Sequence, residues 1–153
     1  MFLNDRLTRG FIAGILGGLV AFPWALISKF IFKTADILYL DFAAIHTYGK
    51  RPDTLIEMIF AQFIVFGLFG ALGIIFVYLI PYVTSMNLIL KGLIWGAAFW
   101  FFSYAITLLF KVQGLELITF SNSVSNLIGA LIWGGALAIS LQYLDRKANQ
   151  NVK

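Results

Sequence analysis

Seven polar side chains lie within or beside long apolar runs of this 153-residue chain: Lys29, Gln62, Ser103, Thr107, Lys111, Asn122 and Asn126. They are the residues through which the chain could do chemistry. Ser103, Tyr104, Thr107 and Lys111 follow Gly96 and Trp100 at three- and four-residue spacings, so on a helix they form one stripe. Asn122 and Asn126 share a face that continues through Gly129 and Trp133. Taken together, these groups would line a polar vestibule suited to an anion or an anionic lipid head group, helped by exposed N–H groups at a helix start. The plainer alternative needs no ligand. Lys29 and Lys111 would snorkel to an interface on their long stems, and the amides would hydrogen-bond between helices for about 0.6–2 kcal/mol each.

Other chemistries lack their residues. There is no cysteine, so disulfides, thiolate nucleophiles and thiolate metal sites are absent. His46 is the single histidine. Asp36, Asp41 and Asp53 are near it in sequence, but their spacing matches no zinc or calcium ligand pattern. No metal or cofactor is therefore expected, nor the paired nucleophile and base of an enzyme. The apolar stretches contain no Asp or Glu, which argues against a proton-coupled transporter or a carboxylate-ring cation channel. A net charge of +4 suits contact with anionic phospholipid at one face and gives no sign of nucleic-acid binding.

These residues need elements to hold them, and composition says which. Hydrophobic residues make up 61% and charged residues 12%, against roughly a quarter charged in soluble domains. Mean hydropathy is +0.91. Uncharged stretches cover 10–28, 58–90, 92–110 and 117–144, and a membrane-crossing helix needs about 20 apolar residues. The expected fold class is all-α: a polytopic membrane protein with four transmembrane helices in an up-down bundle, forming one domain over 1–153. The spans fall at about 10–32, 56–80, 88–110 and 121–143, with a loop-side segment at 33–55. The first apolar run, after Arg6 and Arg9, exceeds a signal peptide's core and reads as a retained span.

Local signals refine the boundaries. Pro23 should kink the first span. Thr54-x-x-Glu57 fits a capping box, residues 81–87 form a turn closed by Pro81, and Ser121 or Ser123 can cap the fourth span. Residues 33–57 read as the one sizeable extramembrane piece, with a short helix within 36–48. On a helical wheel Asp41 falls inside the apolar arc of Ile37, Leu40, Ala44 and Ile45, which conflicts with an interfacial helix. Either Asp41 is paired against the bundle or 37–42 is not helical.

With four spans, the termini side carries Arg6, Arg9, Lys91, Arg146, Lys147 and Lys153, and the loop side Lys29, Lys33, Lys50, Arg51 and Lys111. The positive-inside rule then places both termini in the cytoplasm. Gly10, Gly14 and Gly18 lie on one face of the first span, with similar small-residue pairs at Gly67 and Ala71, Gly92 and Gly96, and Ala130 and Gly134. They would serve packing inside the bundle or homo-oligomerisation through the first span. Arg9-Gly10 to Gly14 parallels Lys91-Gly92 to Gly96, and Lys29 falls in register with Lys111, the mark of an internal repeat in parallel orientation.

The basic-Gly start (Arg9-Gly10 through Gly18), the loop from Lys33 to Pro52 and the run Lys91-Gly92-Leu93-Ile94-Trp95-Gly96 make the chain resemble small, uncharacterised four-span bacterial inner-membrane proteins. It is similar in size to small multidrug transporters, without their first-span glutamate. Thr119-Phe120-Ser121 resembles an element of fluoride channels, without the Gly-rich lead-in. The expected role is an accessory, scaffolding or oligomeric component of the bacterial cytoplasmic membrane, contacting lipids and a second copy or a partner membrane protein. The alternative is passive small-solute or anion permeation or binding through the vestibule.

Overall fold

The computed structural model describes residues 5–83, 86–115 and 118–150. Within them run five α-helices: α1 (Arg6–Leu26), α2 (Tyr39–Tyr48), α3 (Leu55–Leu79), α4 (Leu88–Leu109) and α5 (Phe120–Gln150). All but α2 are long and apolar enough to cross a membrane, and they alternate in direction, with α1 against α3 and α5, and α5 against α4.

Most helix ends follow from local chemistry. Asp5 accepts from the N–H groups of Leu7 and Thr8 and caps α1. Thr54 Oγ1 accepts from the Glu57 N–H at 3.2 Å while Glu57 Oε2 accepts from the Thr54 N–H at 3.2 Å, a reciprocal box. Asn87 Oδ1 caps α4. Lys91 Nζ donates to the Val83 carbonyl at 2.7 Å, closing the turn after α3; Thr84 and Ser85 of that turn lie outside the described residues, as does Lys153. The cap of α5 is Thr119, whose Oγ1 accepts from the Asn122 N–H at 3.3 Å, so neither Ser121 nor Ser123 serves. Helix α5 also outruns the expected boundary near 143, because Leu141, Leu144 and Ala148 continue its buried stripe and Asp145 pairs with Arg9 of α1 at 2.7 Å.

Pro23 does not end α1. Four residues further on the helix widens over Ile27–Ile31, and the Phe32 N–H donates five residues back to Ile27 at 3.0 Å. The chain then turns through Lys33 at φ 52°. Helix α4 stops similarly, with Lys111 at φ 47° and the Val112 N–H bonded to the Thr107 carbonyl at 3.1 Å, a Schellman-type end.

Two hairpins repeat one crossing. A Cβ added at Gly10 would lie 2.7 Å from the Gly73 carbonyl oxygen, and one at Gly14 would meet the carbonyl of Phe69. In the second hairpin, Cβ atoms at Gly92 and Gly96 would meet the carbonyls of Gly134 and Ala130. In each pair the two contacts step four residues along antiparallel helices, the approach that small residues permit. Gly18 packs under Phe66 and Phe69. The glycine face of α1 is therefore filled by α3 of the same chain. Trp133 fills the centre: fully buried, it stacks on Phe69 at 4.8 Å and donates to the Gly14 carbonyl at 3.1 Å. Helices α3 and α4, by contrast, face each other through rings, Phe69 with Phe99 at 5.8 Å and Phe76 with Trp95 at 6.1 Å.

Candidate functional site

The expected extramembrane segment does not stay outside the bundle. After Lys33 the chain turns inward, and Ala35, Ile37 and Leu38 are buried. Tyr39 then packs on Phe69 and Phe99, at 6.3 and 5.2 Å between ring centroids. Phe69 stands fourteen residues past Leu55, about 21 Å along the helix at 1.5 Å per residue. Residues 33–38 lead past the start of α5 to α2, whose first ring, Tyr39, reaches that level, and the ten residues of α2 end at Gly49. Non-helical backbone buried among apolar helices needs a partner for each peptide group.

Two asparagines supply those of Ile37. Asn122 Oδ1 accepts from the Ile37 N–H at 2.8 Å, and its Nδ2 donates to the Ile37 carbonyl at 3.0 Å. One amide thus clasps one residue from both sides, as a neighbouring strand would. Asn126 Nδ2 donates to the same carbonyl at 3.0 Å and to the Tyr104 hydroxyl oxygen at 2.9 Å. Both asparagines are almost fully buried. The start of α5 is held from two sides, by Trp24 Nε1 donating to the Ser125 carbonyl at 2.9 Å and Trp100 Nε1 to that of Ser123 at 3.0 Å.

Asp41 resolves the helical-wheel conflict. It is buried, and its Oδ2 accepts from the Leu38 N–H at 2.7 Å, capping α2 from the third helical position. Lys29 Nζ lies 4.0 Å from the same oxygen. A carboxylate therefore does lie inside the helical bundle, where the uncharged stretches promised none; it arrives by tertiary folding from outside them. At the exposed rim Lys50 Nζ meets Glu57 Oε1 at 2.9 Å and Asp53 Oδ2 at 3.0 Å. These two hydrogen bonds, the Glu57 one larger, hold the Lys50 pKa above its ordinary value.

The seven expected lining residues do not line one common cavity: Gln62 and Asn126 share one, Ser103 lines a second, and Asn122 a third beside Asp36 and Ile37. Asn122 and Asn126 come together. Gln62 reaches a cavity of about 40 Å³ that Asn126 also lines, above the roughly 10–15 Å³ that one water needs. Thr107 is fully buried and donates to the Tyr104 carbonyl at 2.8 Å, and Ser103 to that of Trp100 at 2.8 Å. Lys29 sits beside Asp41, while Lys111 is exposed at the end of α4, away from the amides. Two contributors were missed: the hydroxyl of Tyr104, which stood in the helix-4 stripe, and Asp41, whose misfit on the wheel was the available signal.

Fold and site define the class: an all-helical protein with four helices long and apolar enough to cross a membrane, its loop end closed by a buried segment clasped in asparagine amides. The chain belongs to the family of unknown function DUF6789, whose profile matches residues 4–152. No curated protein and no solved structure matches the chain.

Proposed function

We propose that this is an integral protein of the bacterial cytoplasmic membrane, with both termini in the cytoplasm, serving as an accessory or scaffolding component and not as a conduit. Support for the membrane placement comes from the outer surface: Ile56, Phe63 and Leu109 are 80%, 70% and 78% exposed, and apolar area on that scale needs lipid to cover it. The accessory reading rests on the amide clasp. The amides that anion or solute permeation would use are spent on the Ile37 peptide and Tyr104, and withdrawing them would strand buried backbone groups. Purified protein in liposomes is then inert to chloride and small-solute flux, and a membrane partner co-purifies with it from native membrane. Flux carried by the protein alone would favour permeation, and release from membranes by alkaline carbonate without detergent would remove the membrane placement.

A further inference from the structure

A cleft of about 380 Å³ opens sideways between α3 and α4 under the roof of α2. We propose that it holds one acyl chain of a membrane phospholipid, whose head group carries a hydrogen-bond donor; this rests on the membrane placement above. The cleft exists because the two glycine crossings join α1 to α3 and α4 to α5, while α3 and α4 are propped apart by aromatic rings. Its volume falls within the roughly 300–1,000 Å³ of ligand sites.

The walls are mostly apolar: Ser103 and Tyr39 turn their hydroxyl hydrogens to the Trp100 and Asn126 carbonyls, and the other polar groups stand at one end. At depth stand Phe69 and Phe99, and along the sides Leu68, Phe102 and Ile106. At the outer end, in the last turn of α2, are His46 and Thr47. An amphiphile entering from the bilayer matches that gradient, chain inward and head group at the rim. Both rim groups are set to accept. His46 Nδ1 lies 2.7 Å from the Phe42 carbonyl, which assigns a ring hydrogen to that nitrogen and, in the neutral ring, leaves Nε2 as acceptor. Thr47 spends its hydroxyl hydrogen on the Ala43 carbonyl at 2.7 Å, leaving oxygen lone pairs. An ethanolamine ammonium or glycerol hydroxyl can donate to these groups; a choline head group has no N–H or O–H to give.

The test uses the whole chain in liposomes with phospholipids bearing a photoactivatable diazirine in mid-chain, in ethanolamine, glycerol and choline forms, with adducts mapped by mass spectrometry. Labelling at Val65, Phe69 and Phe99, which line the cleft and are shielded from the outer surface, should exceed that at Phe63 and Ile94, which face outward on the same two helices, by about tenfold, and the ethanolamine and glycerol probes should exceed choline. Ala43→Phe, which grows into the cleft from α2, should cut cleft adducts by about tenfold, a preference of ~1.4 kcal/mol. Ile64→Trp fills the same space from α3 and gives the same loss, so the test survives if one variant misfolds. His46→Leu should keep the acyl adducts and weaken the head-group preference, and His46→Leu with Thr47→Val should erase it. Labelling spread evenly over outward and cleft positions, unchanged in both filled variants, overturns the site while leaving the membrane placement intact. Failure to label any of the four long helices overturns both.

Discussion

Replacing Asn122 with leucine should loosen the re-entering segment more than any other single change at the clasp. Leucine keeps the branching at Cγ and removes all three hydrogen bonds of the amide, two to Ile37 and a longer one, at 3.4 Å, to the Tyr104 hydroxyl. The Ile37 carbonyl retains Asn126 at 3.0 Å, but the Ile37 N–H loses the Oδ1 acceptor it has at 2.8 Å. A buried donor left without a partner costs about 1–3 kcal/mol, which corresponds to roughly 5- to 150-fold faster local opening. Asn126→Leu leaves the Ile37 peptide bonded on both sides through Asn122 and removes one contact each to Ile37 and Tyr104, so its cost is about 0.6–1 kcal/mol. In the double variant both ends of the peptide are orphaned, and its cost should exceed the sum of the singles by about 0.5–3 kcal/mol. Hydrogen exchange of the peptide covering 33–38, read by mass spectrometry in detergent, reports the local opening, and denaturant titration reports the global change. If Asn126→Leu proves as costly as Asn122→Leu, or if exchange over 33–38 is unchanged in Asn122→Leu, the clasp does not hold the segment.

Three other perturbations test the rest of the fold. Gly134→Val drives a side chain into the Gly92 backbone and should cost upward of ~1–3 kcal/mol, whereas Gly67→Val, with no atom within 4 Å of its added Cβ, should change the melting temperature by less than a tenth as much. Lys111→Gly relieves a left-handed lysine at φ 47° and should raise stability by up to ~1 kcal/mol, measured by thermal unfolding in detergent. Because the Lys50 pKa is raised by Glu57 and Asp53, its stabilisation is fully present below the unfolded lysine value of about 10.4 and fades as pH rises through the folded one. Wild type should therefore lose melting temperature relative to Lys50→Met over that alkaline range, and parallel curves would refute the coupling.

Much of the architecture could be read from local pattern. The four long helices follow from apolar runs interrupted only where the chain turns, and the ends of α3 follow from Thr54, Glu57 and Pro81, each acting within a turn of its own position. The glycine pairs announced close crossings. They did not say that Gly10 meets Gly73 or that Gly92 meets Gly134, since a small residue advertises an approach without naming who approaches.

What tertiary structure alone decided is the course of residues 33–48. Their mixture of apolar and polar residues suits an interface as well as an interior, and only Asp41 sat badly on the surface reading. Their depth is set by hydrogen bonds between Ile37 and Asn122, 85 residues apart, and between Ile37 and Asn126, 89 apart. Spacing within one helix is governed by the helical repeat and shows in a single chain. A bond between distant segments depends on helix packing that brings a peptide group and an amide to the same buried point, and no periodicity along the sequence encodes that meeting.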